Sequence, residues 1–299
     1  MKTDLHRDAM PATANPHRHV LRQLNRSAAP SSALAARPRV DPLAHIDPAV
    51  ELPPDVVIRS GAYLPAGVWL GAGCEIGPNV AFIDGAPTCV KRGVRIGANA
   101  TVHAGVTLCA GAVVQPGAVV TRSVPAGAIV EGNPAVIVGY VDAARGVSPT
   151  ALPQRATALT RTPVRGVTLH QFPVIPDLRG NLTVGEFSSQ IPFEPQRYFL
   201  VYGVPSREVR GEHAHRQCQQ FLICLQGSCA VVADDGQHRT EVLLDAPHRG
   251  LYLPPMTWGI QYQYSADAML LVFASQRYDA ADYIRDYDDF LAECLGIAA

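Results

Sequence analysis

Aromatic residues are scarce in this sequence, at 7%, and charged residues reach only 17% with a formal net charge of -1. No excess of one sign marks the chain as a binder of nucleic acid or of an anionic membrane. No apolar run approaches the ~18 residues of a transmembrane helix, and the first residues hold no hydrophobic stretch of signal-peptide length. These absences predict a cytoplasmic protein with no membrane contact. The seven cysteines (Cys74, Cys89, Cys109, Cys218, Cys224, Cys229, Cys294) are odd in number and form no CxxC pair. That argues against a disulfide framework and a thiolate zinc site, and they read as small buried hydrophobes.

What is present is apolar and turn-rich: 47% hydrophobic, with 25 Gly and 25 Pro in 299 residues. The length suits two domains or one large β domain, and the Gly and Pro abundance favours short strands joined by tight turns. Residues 1–40 differ. Lys2, Arg7, Arg18, Arg22, Arg26, Arg37 and Arg39 stand against Asp4 and Asp8, a balance of about +5, in an Ala/Pro/Ser background. A disordered basic tail fits that composition.

A period of six runs from Val68 to Val130. The third position of each block is a larger apolar residue: Leu70, Ile76, Phe82, Ile96, Val102, Leu108, Val114 and Val120. The sixth is Gly or Asn: Gly73, Asn79, Gly85, Asn99, Gly105, Gly111 and Gly117, the residues that best tolerate left-handed turn geometry. Six is three strand periods, so each block is a short strand plus a turn, and three blocks make one triangular coil with third positions inward. The blocks, with Glu131-Gly132-Asn133-Pro134-Ala135 closing them, resemble the hexapeptide repeats of left-handed β-helix acyltransferases. That resemblance implies a trimer with acetyl-CoA between subunits, Gly132, Asn133, Pro134 and Ala135 near the cofactor, and a sugar-linked amine as acceptor. Asp84, in the short Phe82–Pro87 segment, and His103, at the fourth position of its block, are the candidates for handling that amine. An inactive trimerising scaffold is the competing reading.

After Tyr140 the hexad stops. Residues 143–164 read as a linker. From Val164 come short strands, Tyr198–Tyr202, Phe221–Leu225, Cys229–Ala233, Gly250–Leu253 and Ala268–Phe273, with Asp234-Asp235-Gly236 as a hairpin turn, so an antiparallel sandwich or barrel is expected. Tyr283, Ile284, Tyr287, Phe290 and Leu291 fall at helical spacing, predicting a C-terminal helix. The predicted division is 41–142 β-helix, 143–164 linker and 165–299 barrel, all mainly β.

In Arg210-Gly211-Glu212-His213-Ala214-His215, alternation along a strand puts both imidazoles on one face, toward the barrel. A metal-binding cupin would add a carboxylate and a third His, but Gln219 and Gln220 occupy the carboxylate positions and Trp258 stands where the third His would fall. Metal-free acid/base chemistry is therefore preferred.

Asp177-Leu178-Arg179-Gly180, Ile191 through Tyr198, Arg210 through His215, Gln226-Gly227-Ser228, Asp234-Asp235-Gly236 and Tyr278 through Asp288 together resemble the WxcM-like cupins. These are sugar-nucleotide 3,4-ketoisomerases, some fused to a hexapeptide acetyltransferase. The resemblance implies conversion of dTDP-4-keto-6-deoxyglucose to a dTDP-3-keto-6-deoxyhexose for surface-polysaccharide synthesis, without metal or redox cofactor. It casts His213 and His215 as base and proton shuttle, and Tyr198 as a donor to the enediolate. Arg179, Arg197 and Arg210 are pyrophosphate partners, and Gln220 and Trp258 substrate contacts. If the β-helix is active, acetyl-CoA acetylates the derived dTDP-3-amino sugar after a separate aminotransferase has acted. Trimeric β-helices and dimeric cupins on one chain predict a hexamer, a trimer of dimers. A metal-binding cupin or a non-catalytic sugar-nucleotide binding module is the alternative.

Overall fold

The computed structural model describes residues 37–145, 158–205 and 207–296. The basic tail predicted over residues 1–40 falls almost wholly outside them. No helix among the described residues is long and apolar enough to cross a membrane.

Hexad chemistry builds a β-solenoid whose three faces are parallel sheets. Val57 lies opposite Glu75 and Thr101 opposite Val119, eighteen residues on, so one coil is three hexads. Val68 instead faces Thr88, twenty residues on, because the Asp84–Pro87 turn adds two residues. All third positions but Leu70 are buried. Asn79 and Asn99 take left-handed φ of 55° and 58° at the same corner of adjacent coils, where the Asn79 amide donates to Asn99 Oδ1 at 3.2 Å. Coils extend beyond the recognised repeat, back to the Arg39–Val40 strand.

Close stacking explains a glycine outside the corners. A Cβ on Gly97 would fall 2.6 Å from Pro116 N on the next coil. Gly97→Ala is expected to destabilise the protein by about 1–3 kcal/mol, as overpacking does, seen as a lower urea midpoint at constant slope; an unchanged midpoint would contradict this stacking.

The second half is a barrel of two six-stranded sheets. One runs, in spatial order, Ala143–Arg145, Arg239–Leu244, Cys229–Asp234, Trp258–Tyr262, Arg210–His215 and Tyr283–Ile284. The other runs Ala158–Arg161, Thr168–Gln171, Arg249–Leu253, Gln220–Gln226, Met269–Ala274 and Arg197–Tyr202. The predicted linker thus carries an edge strand of each sheet at its two ends. Ala143–Arg145 pairs in parallel with Arg239–Glu241, giving its backbone partners that polarity alone does not reveal. The rest of that segment, 146–157, lies outside the described residues.

Side chains alternate between two cores. Val231, Ala233, Leu222, Cys224 and Leu253 fill the barrel. Ala214, Val232, Trp258, Ile260 and Tyr262 face the other way and continue the solenoid core without a break. Arg239 ties the halves: its guanidinium donates to Asp234 at 2.6 Å, to the Val141 carbonyl at 3.2 Å and to the Tyr287 hydroxyl at 3.1 Å. Lys91 of the solenoid reaches Asp288 at 2.6 Å. Asp288 belongs to the C-terminal helix, which spans Tyr287–Cys294 and is N-capped by Asp286. The helix is shorter than predicted, because Tyr283–Ile284 is a strand.

Candidate active site

Alternation on the Arg210–His215 strand sets up the chemistry. Ala214 is fully buried in the interdomain core opposite Ile284, so its neighbours His213 and His215 face the barrel. An irregular register between Gly211 and His213, with Glu212 at φ 54°, aims the first imidazole. His213 Nδ1 lies 2.9 Å from the Gly211 carbonyl. A carbonyl only accepts, so Nδ1 carries the hydrogen and Nε2 presents a lone pair. His215 repeats the arrangement with a stronger partner. Its Nδ1 lies 2.8 Å from Asp282 Oδ2, and its Nε2 lies 3.1 Å from the Gln220 amide nitrogen, which donates to it.

Asp282 is itself held, accepting from the Gln217 N–H at 2.7 Å and the Cys218 N–H at 3.2 Å. Burial works to raise its pKa, but His215 and these N–H groups outweigh burial and keep it below the usual carboxylate range. Burial lowers the His215 pKa despite Asp282. Burial also pushes His213 down to about 4, with the charges of His215 and Arg285 adding to it. Both imidazoles are therefore neutral bases near pH 7.

The depressed His213 pKa has a stability consequence. Between about pH 6.5, where the unfolded residue titrates, and about 4, the folded value, the unfolded chain binds more protons. Stability therefore rises with pH across that window and falls as pH drops through it. The melting temperature is expected to fall less steeply from pH 6.5 to 4 in His213→Gln than in wild type. Parallel curves would contradict the buried neutral imidazole.

An aromatic and cationic rim surrounds the pair. The Tyr283 ring, on the strand beside His215, lies 4.2 Å from that imidazole and 5.0 Å from His213. Arg285 covers the Tyr283 ring at 4.3 Å. Arg197 sits 5.5 Å from the rings of both Phe199 and Tyr278, with its buried Nε lacking a hydrogen-bond partner. Both guanidinium charges bear on His215. Two such groups suit a diphosphate.

The structure thus gathers His213, His215, Gln220 and Arg197 of the residues singled out from sequence. Trp258 is corrected: strand alternation turns it from the imidazoles into the other core, where it packs on Tyr287 and Phe290 at 5.2 and 5.6 Å. Tyr198 is corrected likewise. Arg197 and Phe199 face inward, so Tyr198 lies on the outer face, 67% exposed. Arg179 is exposed in the turn of the Val174–Asp177 and Gly180–Thr183 hairpin, and Arg210 is exposed at the start of its strand. Asp282, Tyr283, Arg285 and Tyr278 lie within the Tyr278–Asp288 motif but carry no expected site role from sequence.

In the solenoid, Asp84 is exposed and accepts from the Tyr63 hydroxyl at 3.2 Å, while His103 is exposed on the next coil. Gly132, Asn133, Pro134 and Ala135 form the turn joining Ala128–Glu131 to the antiparallel Val136–Tyr140 strand. A cleft of about 570 Å³ between the halves, lined in part by Arg92, Asp142, Gln237 and His238, is not lined by His213 or His215.

Comparison with known proteins bears on both halves. Residues 165–294 match the family model described as FdtA, WxcM-like, C-terminal. The TDP-4-oxo-6-deoxy-alpha-D-glucose-3,4-oxoisomerase of Aneurinibacillus thermoaerophilus is 43% identical over 119 residues, 40% of this chain and 86% of that protein. The dTDP-3-amino-3,6-dideoxy-alpha-D-galactopyranose 3-N-acetyltransferase of the same organism is 46% identical over 54 residues, 18% of this chain and 28% of that one. Among solved structures, a 3,4-ketoisomerase from Helicobacter canadensis is 36% identical, with 44% of this chain and 98% of that chain covered and a TM-score of 0.42. Through its C-terminal half, this chain belongs to the WxcM-like family.

Proposed function

We propose that the barrel is a sugar-nucleotide 3,4-ketoisomerase acting on dTDP-4-keto-6-deoxyglucose. The observation that carries this reading is the Asp282–His215–Gln220 relay beside a second neutral imidazole, in a chain 43% identical to an oxoisomerase over 119 residues. Moving a ketone from carbon 4 to carbon 3 transfers two protons, one from carbon 3 to carbon 4 and one from oxygen 3 to oxygen 4, through an enediol. With the Gln220 amide displaced from Nε2 by the sugar, His215 takes the carbon-bound proton there, because Asp282 on its far side offsets the imidazolium that forms. His213, whose ring centroid is 5.1 Å away, serves the oxygen-bound proton. Arg197 and Arg285 hold the diphosphate. No electron leaves the sugar, so the reaction needs no redox cofactor, and the His, Gln and Asp groups supply the acid/base chemistry without a metal.

The test is turnover: purified protein with dTDP-4-keto-6-deoxyglucose is expected to give a dTDP-3-keto-6-deoxyhexose by chromatography and mass-neutral conversion. Binding of the nucleotide sugar without conversion would instead support a binding module.

For the solenoid we infer an acetyl-CoA-dependent N-acetyltransferase acting on the dTDP-3-amino sugar made from that product. The 54-residue match to an N-acetyltransferase supports this, with Asp84 and His103 as candidate amine-handling groups and the Gly132–Ala135 turn near acetyl-CoA. We further propose a cytoplasmic trimer of dimers. Exposed Trp69 and Ile83 on the solenoid, and exposed Tyr198, Leu200 and Tyr202 on the barrel, supply two separate apolar faces. Sedimentation is expected to give six times the 32.0 kDa chain mass; a monomer would refute the assembly.

A further inference from the structure

Beside the proton relay stands a thiol that the isomerisation does not use. A His215 ring nitrogen, Cys218 Sγ and an Asp282 carboxylate oxygen all lie within 4.8 Å of one another, and Nδ1 is the nitrogen that faces Asp282, at 2.8 Å. His215 is 5%, Cys218 3% and Asp282 9% exposed, so the donors converge out of bulk water. We propose that these three side chains form a binding site for a thiophilic divalent cation of the zinc class, and that the bound ion silences His215.

The donor set is one sulfur, one imidazole nitrogen and one carboxylate oxygen, which suits a tetrahedral zinc-like ion. Zinc bonds of about 2.3 Å to sulfur and 2.0–2.2 Å to nitrogen or oxygen place donors roughly 3.3–3.8 Å apart. The His215–Asp282 contact of 2.8 Å opens slightly and the thiol closes by about an ångström. The frame is fixed by the Gln217 and Cys218 N–H groups on Asp282. A water would complete the fourth position, and the Ser275 hydroxyl, 3.9 Å from Cys218 Sγ, donates to the sulfur. Sequence spacing offers no thiolate pair; the fold brings residue 282 to the 215–218 segment and supplies the missing donor.

The proton balance explains the inhibition. Coordination takes the Nδ1 lone pair, so the neutral ring carries its hydrogen on Nε2 instead. The thiol releases one proton to solvent, the carboxylate is already ionised, and no electron moves. Nε2 thereby changes from acceptor to donor and cannot take a proton from sugar carbon. Binding is independent of the isomerase reading, whereas silencing rests on it.

The test uses the full-length reduced protein. Cadmium is titrated while thiolate-to-metal absorbance is followed, and zinc affinity is measured by competition with a chelating dye. Wild type is expected to bind one tight equivalent through a thiolate. Cys218→Ser and Cys218→Ala, which keep metal-free turnover and a cooperative unfolding transition, are expected to lose that equivalent by more than the roughly 10–100-fold typical of an outer-shell change. Zinc should stop wild-type isomerisation at stoichiometric loading, reversibly with chelator, and leave Cys218→Ser active. Equal metal binding by wild type and both variants would overturn the site. Binding through Cys218 without loss of turnover would overturn the silencing. Binding through Cys218 by a protein that never turns over substrate would leave the site standing and reject the isomerase reading.

Discussion

Replacing His215 with Gln is expected to lower isomerisation by about 10²–10⁴-fold, the range for loss of a positioned acid/base group. The same variant should lose exchange of substrate protons with solvent. The effect is large because His215 is held on both ring nitrogens, by Asp282 at 2.8 Å and Gln220 at 3.1 Å. Of the two strand-paired imidazoles, His215 has a carboxylate behind it and His213 a backbone carbonyl. Nucleotide-sugar affinity should change little, since Arg197 and Arg285 remain. A variant that retains wild-type turnover would remove His215 from the mechanism.

Asp282→Asn is expected to be nearly as damaging, with kcat down on the order of 10²-fold and KM almost constant. Asp282 is a positioning residue: it fixes the tautomer with the hydrogen on Nδ1 and offsets the imidazolium. Its hydrogen bond and charge also raise the His215 pKa against burial. Without that carboxylate the His215 pKa falls further, so the acid limb of the pH profile should move to lower pH. A merely structural role would lower both stability and rate without moving the limb, and Asp282→Glu should recover part of kcat.

The two halves differed in how much their sequence disclosed. Each hexad solves a local problem, an inward apolar residue and a left-handed corner. Ile76, Phe82 and Val102 could therefore be assigned inward, and Asn79 and Asn99 to corners, without knowing their partners. Barrel alternation was legible for the same reason at His213 and His215. Where pairing across long separations decides, the local pattern misled. Tyr283 and Ile284 fit a helical period with Tyr287 and Phe290, yet they pair with His215 and Ala214 as a strand. That pairing brings Asp282, Tyr283 and Arg285 to the imidazoles from nearly seventy residues away. Trp258 and Tyr198 differ in another way: Trp258 lies on the strand next to the imidazoles and Tyr198 on the edge strand of the opposite sheet, each one position out of phase with the inward face. The polar 143–164 segment has a linker's composition because edge strands bury little and leave no apolar alternation.

Proton transfer by these two imidazoles is the central step. Proton NMR of dTDP-4-keto-6-deoxyglucose with the enzyme in deuterated water measures it directly. The expected result is a 3-keto product carrying deuterium at carbon 4, and exchange at carbon 3 of recovered substrate, both abolished in His215→Gln. Neither product nor exchange with the wild-type protein, or undiminished exchange in the variant, would contradict it.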